Sequence, residues 1–378
     1  MLGPLFAASA LAGTALAQSS AAFTPLAAKH FEYDNLPYQA DTSDGIRGHQ
    51  LGYNRCNSST ENQDSLCQTA IINSIDDFCL WAPPRPNETV GDIEGEMVAW
   101  CTKEGHGTRL IPQGALQGVQ FIRTPHYVQV VGFINQVDID MMEGDYGGEM
   151  DPHGADQRGN PLGGLIFSDA FNGNSTTNGT AGGQQYQQVI QMSLFCLKAC
   201  DPSYENGWAM CEHIYDRIGC KYNAPSEWSK INGTFESCKG DDQLYPGQYI
   251  ENGQTMTYTQ PPESLGPITS IPYTPYTPPS SECTQYTSSN IYTAGPQLAA
   301  STSAASSASE STSGSSSSQA SATSVSSSPT TPLAASGNTG AVGAAQTGAP
   351  DSGAVEGFKV AGGLVAVVAG LIGAVAAL

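Results

Sequence analysis

The chain has 378 residues, 14 Lys and Arg against 35 Asp and Glu, six His and ten Cys, for a formal net charge of −21 at pH 7. That surplus of negative charge disfavours nucleic acid and anionic lipid surfaces as partners, because both repel an acidic protein. Ten cysteines in one chain point toward an oxidising compartment.

The N-terminus, MLGPLFAASALAGTALAQSS, holds an apolar run too short to span a bilayer. Ala15-Leu16-Ala17 then gives the small-x-small pattern of a signal-peptidase site, so residues 1–17 are predicted to be a secretory signal peptide. At the other end, VAGGLVAVVAGLIGAVAAL (360–378) carries no charge to the last residue. As a helix it would measure roughly 28 Å, about one hydrocarbon core. No Lys or Arg follows it, whereas small residues at Ser352-Gly353-Ala354 and a spacer ending in Lys359 precede it. This is the pattern of a glycosylphosphatidylinositol attachment signal over 352–378, with Ser352 as the expected lipid-bearing residue.

Residues 299–351 are Ser, Thr, Ala and Gly with few large apolar side chains. Such a segment cannot bury enough apolar area to offset its ordering entropy, and a disordered, O-glycosylated stalk is expected. Fully extended, it would reach roughly 150–180 Å. Of the net charge, Glu310 and Asp351 account for two units and Glu356 cancels Lys359, so residues 18–298 carry a net charge of −19. Those residues form the expected ectodomain.

All the cysteines lie there, in two clusters: Cys56, Cys67, Cys79 and Cys101, then Cys196, Cys200, Cys211, Cys220, Cys238 and Cys283. Five disulfides are expected, with the connectivity left open. Asn-x-Ser/Thr sequons begin at Asn57, Asn87, Asn174, Asn178 and Asn232, and each is expected on an exposed loop.

In chain order, GALQGVQFIRTPHYVQVVGFINQVDIDM (114–141) reads as two strands broken at Thr124-Pro125. Apolar residues on both alternating faces of YVQVVGFINQVDI predict a strand buried between layers. GGLIFSDAF and YQQVIQMSLFCLKAC read as further core strands. ENGWAMCEHIYDRIGC is the best helix candidate, with Trp208, Cys211, Tyr215 and Ile218 at helical spacing. SIPYTPYTPPS and its neighbours predict extended surface chain. The fold class expected is mostly β, an antiparallel sandwich-like domain with long loops, a short helix and many disulfides.

The stretches GEMVAWCTKEGHGTRLIPQGAL, VQVVGFINQVDIDM and DPHGADQRGNPLGGL resemble the fungal macrophage-activating glycoproteins, related to a delayed-type hypersensitivity antigen. DPHGADxxGNPxGG is the specific part, and the likeness spans roughly residues 30–290. It implies a mannosylated wall or plasma-membrane glycoprotein and brings no catalytic residues.

For chemistry, the sequence holds no GxSxG, HExxH, P-loop or GxGxxG motif, and no cofactor is expected. Asp138 and Asp140 would share a strand face if that strand continued, making them the candidate carboxylate pair of a wall glycan hydrolase or transferase, or a cation site, or a solvated strand end. In GDYGGEMDPHGADQRGNPLGG (144–164), Asp151, His153 and Asp156 are the candidate metal ligands, with His106, His126 or His49 available to join them. An ordered loop is the plainer account, its Asp side chains accepting backbone N–H bonds and Arg158 pairing with a carboxylate. A glycan surface with Tyr146 as platform is a further alternative. Trp81, Trp100, Trp208 and Trp228 are expected in the core, and His126 as a hydrogen-bonded strand residue.

The function expected is that of an extracellular glycoprotein of the wall or outer plasma-membrane leaflet, with a structural, adhesive or antigenic role. Wall polysaccharide and the lipid leaflet are its expected partners, and nucleic acid is not. A glycan-active enzyme and a metal-binding surface protein are the alternatives.

Overall fold

A computed structural model describes residues 23–171, 186–201 and 203–292. The signal peptide, stalk and lipid-anchor expectations, and the sequons at Asn174 and Asn178, lie outside these residues.

The first strands form around an apolar run with a tight reversal. β1 (Thr69–Ser74) turns at Ile75-Asp76 into β2 (Asp77–Ala82), and β2 is buried along its whole length. β3 (Val98–Cys101) pairs antiparallel with β2, placing Cys79 directly opposite Cys101, and the two are joined by a disulfide. β4 (Arg109–Leu110) and β8 (Leu165–Phe167) add to opposite edges in parallel, giving the order β4-β3-β2-β1-β8.

The second sheet is built on the hairpin of β5 (Leu116–Arg123) and β6 (Tyr127–Ile134), broken at Thr124-Pro125 as the sequence predicts. The run 186–200 is a hairpin of β9 (Tyr186–Gln191) and β10 (Leu194–Cys200), turning at Met192 and Ser193, both with positive φ. Two consecutive positive-φ residues match the twist of the flanking strands. β7 (Gly148–Met150), β11 (Phe235–Gly240) and β14 (Ser280–Gln285) complete the order β14-β11-β5-β6-β10-β9-β7, with β11 parallel to β5. A separate hairpin pairs β12 (Gln248–Glu251) with β13 (Gln254–Thr257), at the start of the stretch 251–279 expected to be extended chain. The sheets are thus mixed, eight antiparallel pairings being joined by three parallel ones.

The two large sheets pack face to face as a sandwich. Phe78 of β2 stacks on Phe195 of β10 with ring centroids 6.2 Å apart. The Gln188 amide of β9 bridges the sheets: its Oε1 accepts from the Trp81 N–H at 2.8 Å and its Nε2 donates to the Trp81 carbonyl at 2.9 Å. Period-two alternation sorts β6 and β10 cleanly. Val128, Val130, Phe195 and Leu197 enter the inter-sheet core, while Tyr127, Val131, Cys196 and Cys200 point outward beneath a covering segment. Gly132 sits where strands crowd, since a Cβ there would lie 2.2 Å from the Gly118 carbonyl oxygen and 2.7 Å from the Phe195 ring.

That covering segment departs from the helix expected over 205–220. It is two 3-10 turns, Gly207–Cys211 and Asp216–Ile218, followed by the single-turn helices α2 (Cys220–Asn223) and α3 (Trp228–Ile231); α1 (Val90–Ile93) lies far upstream. The disulfides Cys200–Cys211 and Cys196–Cys220 clamp both ends of the stretch to β10, and this geometry is incompatible with one straight helix. Trp208, expected in the core, is 50% exposed as a result, whereas Trp81 and Trp100 are buried. The remaining disulfides are Cys56–Cys67 and Cys238–Cys283, so all ten cysteines are paired. No helix among the described residues is long and apolar enough to cross a membrane.

Beneath the covering segment lies Lys198, on the outward face of β10 and wholly buried. Its Nζ donates to the carbonyls of Met210 (3.1 Å) and Asn223 (2.6 Å) and to Gln243 Oε1 (2.8 Å), and sits 4.9 Å above the Tyr127 ring. Three acceptors match the three N–H donors of an ammonium. Burial pulls its pKa down to about 7, against the pull of Asp242.

Candidate functional site

The carboxylate pair proposed from sequence does not form. β6 ends at Ile134, and Gln136–Ile139 is a 3-10 turn closed by Asp140 in the left-handed conformation (φ 68°), so Asp138 and Asp140 do not share a strand face. Asp138 accepts from Asn135 Nδ2 at 2.7 Å. Asp140 pairs with Arg109 at 3.1 Å, a guanidinium that also donates to the Ser65 and Pro84 carbonyls. Burial lifts the Asp140 carboxyl above its usual range, with Arg109 opposing.

The loop 144–164 is ordered by its own polar side chains. Asp145 Oδ2 accepts from the Val90 N–H (2.9 Å), capping the region of α1. Asp151 Oδ1 accepts from the backbone N–H of His153 (2.6 Å) and Gly154 (3.0 Å), an Asx turn that reverses the chain after β7. Arg158 does pair with a carboxylate, but from the N-terminal segment: it meets buried Asp41 at 2.6 Å and donates to the Ser43 and Gly48 carbonyls. Asp156 pairs with Arg47, which also donates to Asn160 Oδ1, and its other oxygen faces Arg158 at 3.6 Å. It is not grouped with the donor atoms of Asp151 and His153.

A residue the sequence reading passed over stands beside these two. His213, in the bend after Cys211, stacks on His153 with ring centroids 3.8 Å apart and planes 15° from parallel. Ligand atoms of Asp151, His153 and His213 all lie within 4.8 Å of one another. Asp151 is buried, and the two imidazoles are each about one-third exposed. Burial alone would raise the Asp151 carboxyl, but the His153 ring, the N–H groups of Gly154 and His153, and His213 hold it below the ordinary carboxylate range. Burial, and then His153, keep the His213 imidazole below its usual value against Asp151, Glu212 and Asp216. Nearby Glu94 is pushed up by burial, with Arg47 opposing and Asp151 and Asp216 adding to the rise. The group is thus one ionised carboxylate and two imidazoles in an acidic setting. A separate cleft of about 550 Å³ is lined by Tyr146, Glu149, Asp216 and Arg217, and Tyr146 is 78% exposed.

The other histidines go elsewhere. His106 Nε2 meets Asp77 at 2.6 Å, next to a cleft shared with Tyr33 and Arg55. His126 Nδ1 pairs with Asp242 while its ring packs edge-on to Tyr204. His49 faces Asp44 at 3.4 Å on the surface. A second grouping, Glu236 with Cys238 and Cys283, offers no thiolate because its cysteines are disulfide-bonded. The sequons at Asn57, Asn87 and Asn232 are all exposed.

Architecture and site together define a disulfide-stapled mixed β sandwich carrying a His/Asp cluster between two loops. No family model matches the chain, and no solved structure matches it. Two appressorium proteins of Mycosarcoma maydis do. ROW1 is 42% identical over 263 residues, 68% of this chain and 56% of ROW1. ROW2 is 40% identical over 222 residues, 57% of this chain and 73% of ROW2. The chain belongs to the family of these appressorium proteins, and spans little more than half the length of ROW1.

Proposed function

We propose that this protein works outside the cell as a non-catalytic surface glycoprotein of a fungal infection structure. The observation that carries the proposal is the identity of 42% and 40% to two proteins named for the appressorium. Pairing of all ten cysteines supports an oxidising compartment. Exposure of Asn57, Asn87 and Asn232 suits glycan attachment. In this reading the head (18–298) is presented on the stalk (299–351) from a lipid at Ser352, against wall polysaccharide. The resemblance to macrophage-activating glycoproteins favours the same outward placement. A non-catalytic role is favoured by the ties on the acidic side chains, Asp140 to Arg109 and Asp156 to Arg47.

The test is an epitope inserted at an exposed loop of the head, followed in cells differentiating infection structures. Surface labelling of intact cells and release by phosphatidylinositol-specific phospholipase are expected, together with impaired infection structures in a deletion strain. Cytosolic protein with reduced thiols, or deletion with no effect on those structures, would refute the reading.

A further inference from the structure

We propose that Asp151, His153 and His213 form a binding site for one divalent first-row transition metal ion of the zinc class. The inference goes beyond the surface role and rests on geometry within the head.

Metal–nitrogen and metal–oxygen bonds of about 2.0–2.2 Å put two ligand atoms of one ion no more than ~4.4 Å apart. The three donors already lie within 4.8 Å of one another, so closure onto an ion takes sub-ångström shifts. One rotation is needed as well. A ligating nitrogen holds its metal in the plane of its ring, and the stacked rings of His153 and His213 have nearly parallel planes. Either ring can supply it, since both are about one-third exposed and neither lies in a helix or strand.

An independent observation points the same way. His153 Nδ1 is shielded from solvent and makes no well-aligned hydrogen bond to the protein, one of eleven such side-chain atoms among the described residues. Its nearest charged neighbour is Asp151 Oδ1 at 3.4 Å, an oxygen already taken by two backbone N–H groups. A metal ion would satisfy that nitrogen while the Asx turn keeps the carboxylate aimed.

The donor set selects the ion. Two imidazoles and one carboxylate suit Zn²⁺, Cu²⁺, Ni²⁺ or Co²⁺, whereas Ca²⁺ and Mg²⁺ require mostly oxygen ligands. These donors do not oxidise, so the site is compatible with a compartment in which the cysteines are disulfides. Glu94, Glu212 and Asp216 add negative potential that draws cations inward. The Arg158–Asp41 and Arg47–Asp156 pairs fix the loop that carries two of the ligands.

The experiment uses the purified full-length protein, stripped with chelator and titrated with Zn²⁺ by calorimetry and with Co²⁺ by visible absorption. His213→Ala is the test variant, at a half-buried position outside the hydrophobic clusters, and His49→Ala is the exposed control. Loss of an outer-shell partner typically costs 10–100-fold in metal affinity, so loss of a ligand is expected to cost about 100-fold or more. One equivalent per chain in wild type and His49→Ala, weakened by that factor in His213→Ala, is the expected result. No saturable binding in the wild type, or equal affinity in His213→Ala, overturns the site. Both readouts are made in solution and do not depend on where the protein resides in the cell, so failure here leaves the surface role standing.

Discussion

Replacing Lys198 by Met tests how the covering segment is held to the second sheet. Met preserves most of the side-chain volume but leaves the Met210 and Asn223 carbonyls and Gln243 Oε1 without the donor that joins them. Each of these three stranded acceptors costs about 1–3 kcal/mol, and removing the buried charge returns part of the total, for a net loss of roughly 2–5 kcal/mol. In a domain of this size that corresponds to a midpoint lower by roughly 5–15 °C. The pH dependence is more diagnostic. Lys198 has a folded pKa of about 7, below the ordinary lysine value of about 10.4. Between those values the unfolded chain holds a proton that the folded one has released, so stability rises with pH, by at most ~1.4 kcal/mol per unit. The three acceptors favour the ammonium and make the actual rise smaller. Urea unfolding of both proteins from pH 6 to 9.5 should therefore show the wild-type advantage widening as pH rises. A constant or shrinking gap, or a variant as stable as wild type, would refute the account.

Three further outcomes follow from the scaffold. Cys238 and Cys283 close a 45-residue loop and Cys56 and Cys67 an 11-residue loop. Loop-closure entropy then predicts that the double Ser variant costs about 4 kcal/mol at the first pair against ~2.8 kcal/mol at the second, measured by denaturant unfolding. Asp77 is held below its ordinary value because His106, Asn73 and Lys103 outweigh the effect of its burial. Its contribution is present above about pH 4 and is lost as pH falls through the folded value, so Asp77→Asn should lose about 2 kcal/mol at pH 6 and unfold less steeply in an acid titration. Arg158→Met strands Asp41 as an unpaired buried carboxylate and should cost about 3–5 kcal/mol, read as a lower thermal midpoint.

What the sequence disclosed depended on how local the determining physics is. The β5–β6 hairpin was legible because Thr124-Pro125 interrupts two β-branched runs, and a Pro ends a strand through its missing N–H. The β1–β2–β3 meander went unread although TAIINS and DFCLWA are strongly apolar. Its central strand β2 is buried on both faces, so no alternation marks it. The helix expected over 205–220 failed because spacing carries no record of two disulfides pulling the chain back onto β10. At the site, Asp151 and His153 were visible as neighbours in a Gly-rich loop. The tie of Asp156 to Arg47 could not be read there, because the two are 109 residues apart in sequence. His213 carried no local signal, since only the tertiary fold brings it to His153.

The covering segment and the His/Asp cluster are two aspects of one arrangement. Cys211 is disulfide-bonded to Cys200, and its neighbour Met210 supplies a carbonyl to Lys198, so the chain is fixed to β10 immediately before His213. Shortly beyond it, the Tyr215 carbonyl accepts from the buried Asn223 Nδ2 at 2.8 Å. His213 is therefore held by anchors on both sides while its own ring is left partly free to turn. The loop 151–158 is fixed from a different direction, through Arg47 and Arg158 to the N-terminal segment. Two independently braced stretches thus present donors across a narrow gap, which is the preorganisation that metal ligation needs and that a loose surface loop lacks. A merely structural histidine stack would require no such double bracing. The placement of the Cys200–Cys211 disulfide two residues before His213 is accordingly accounted for by the position of the ring as well as by the burial of Lys198.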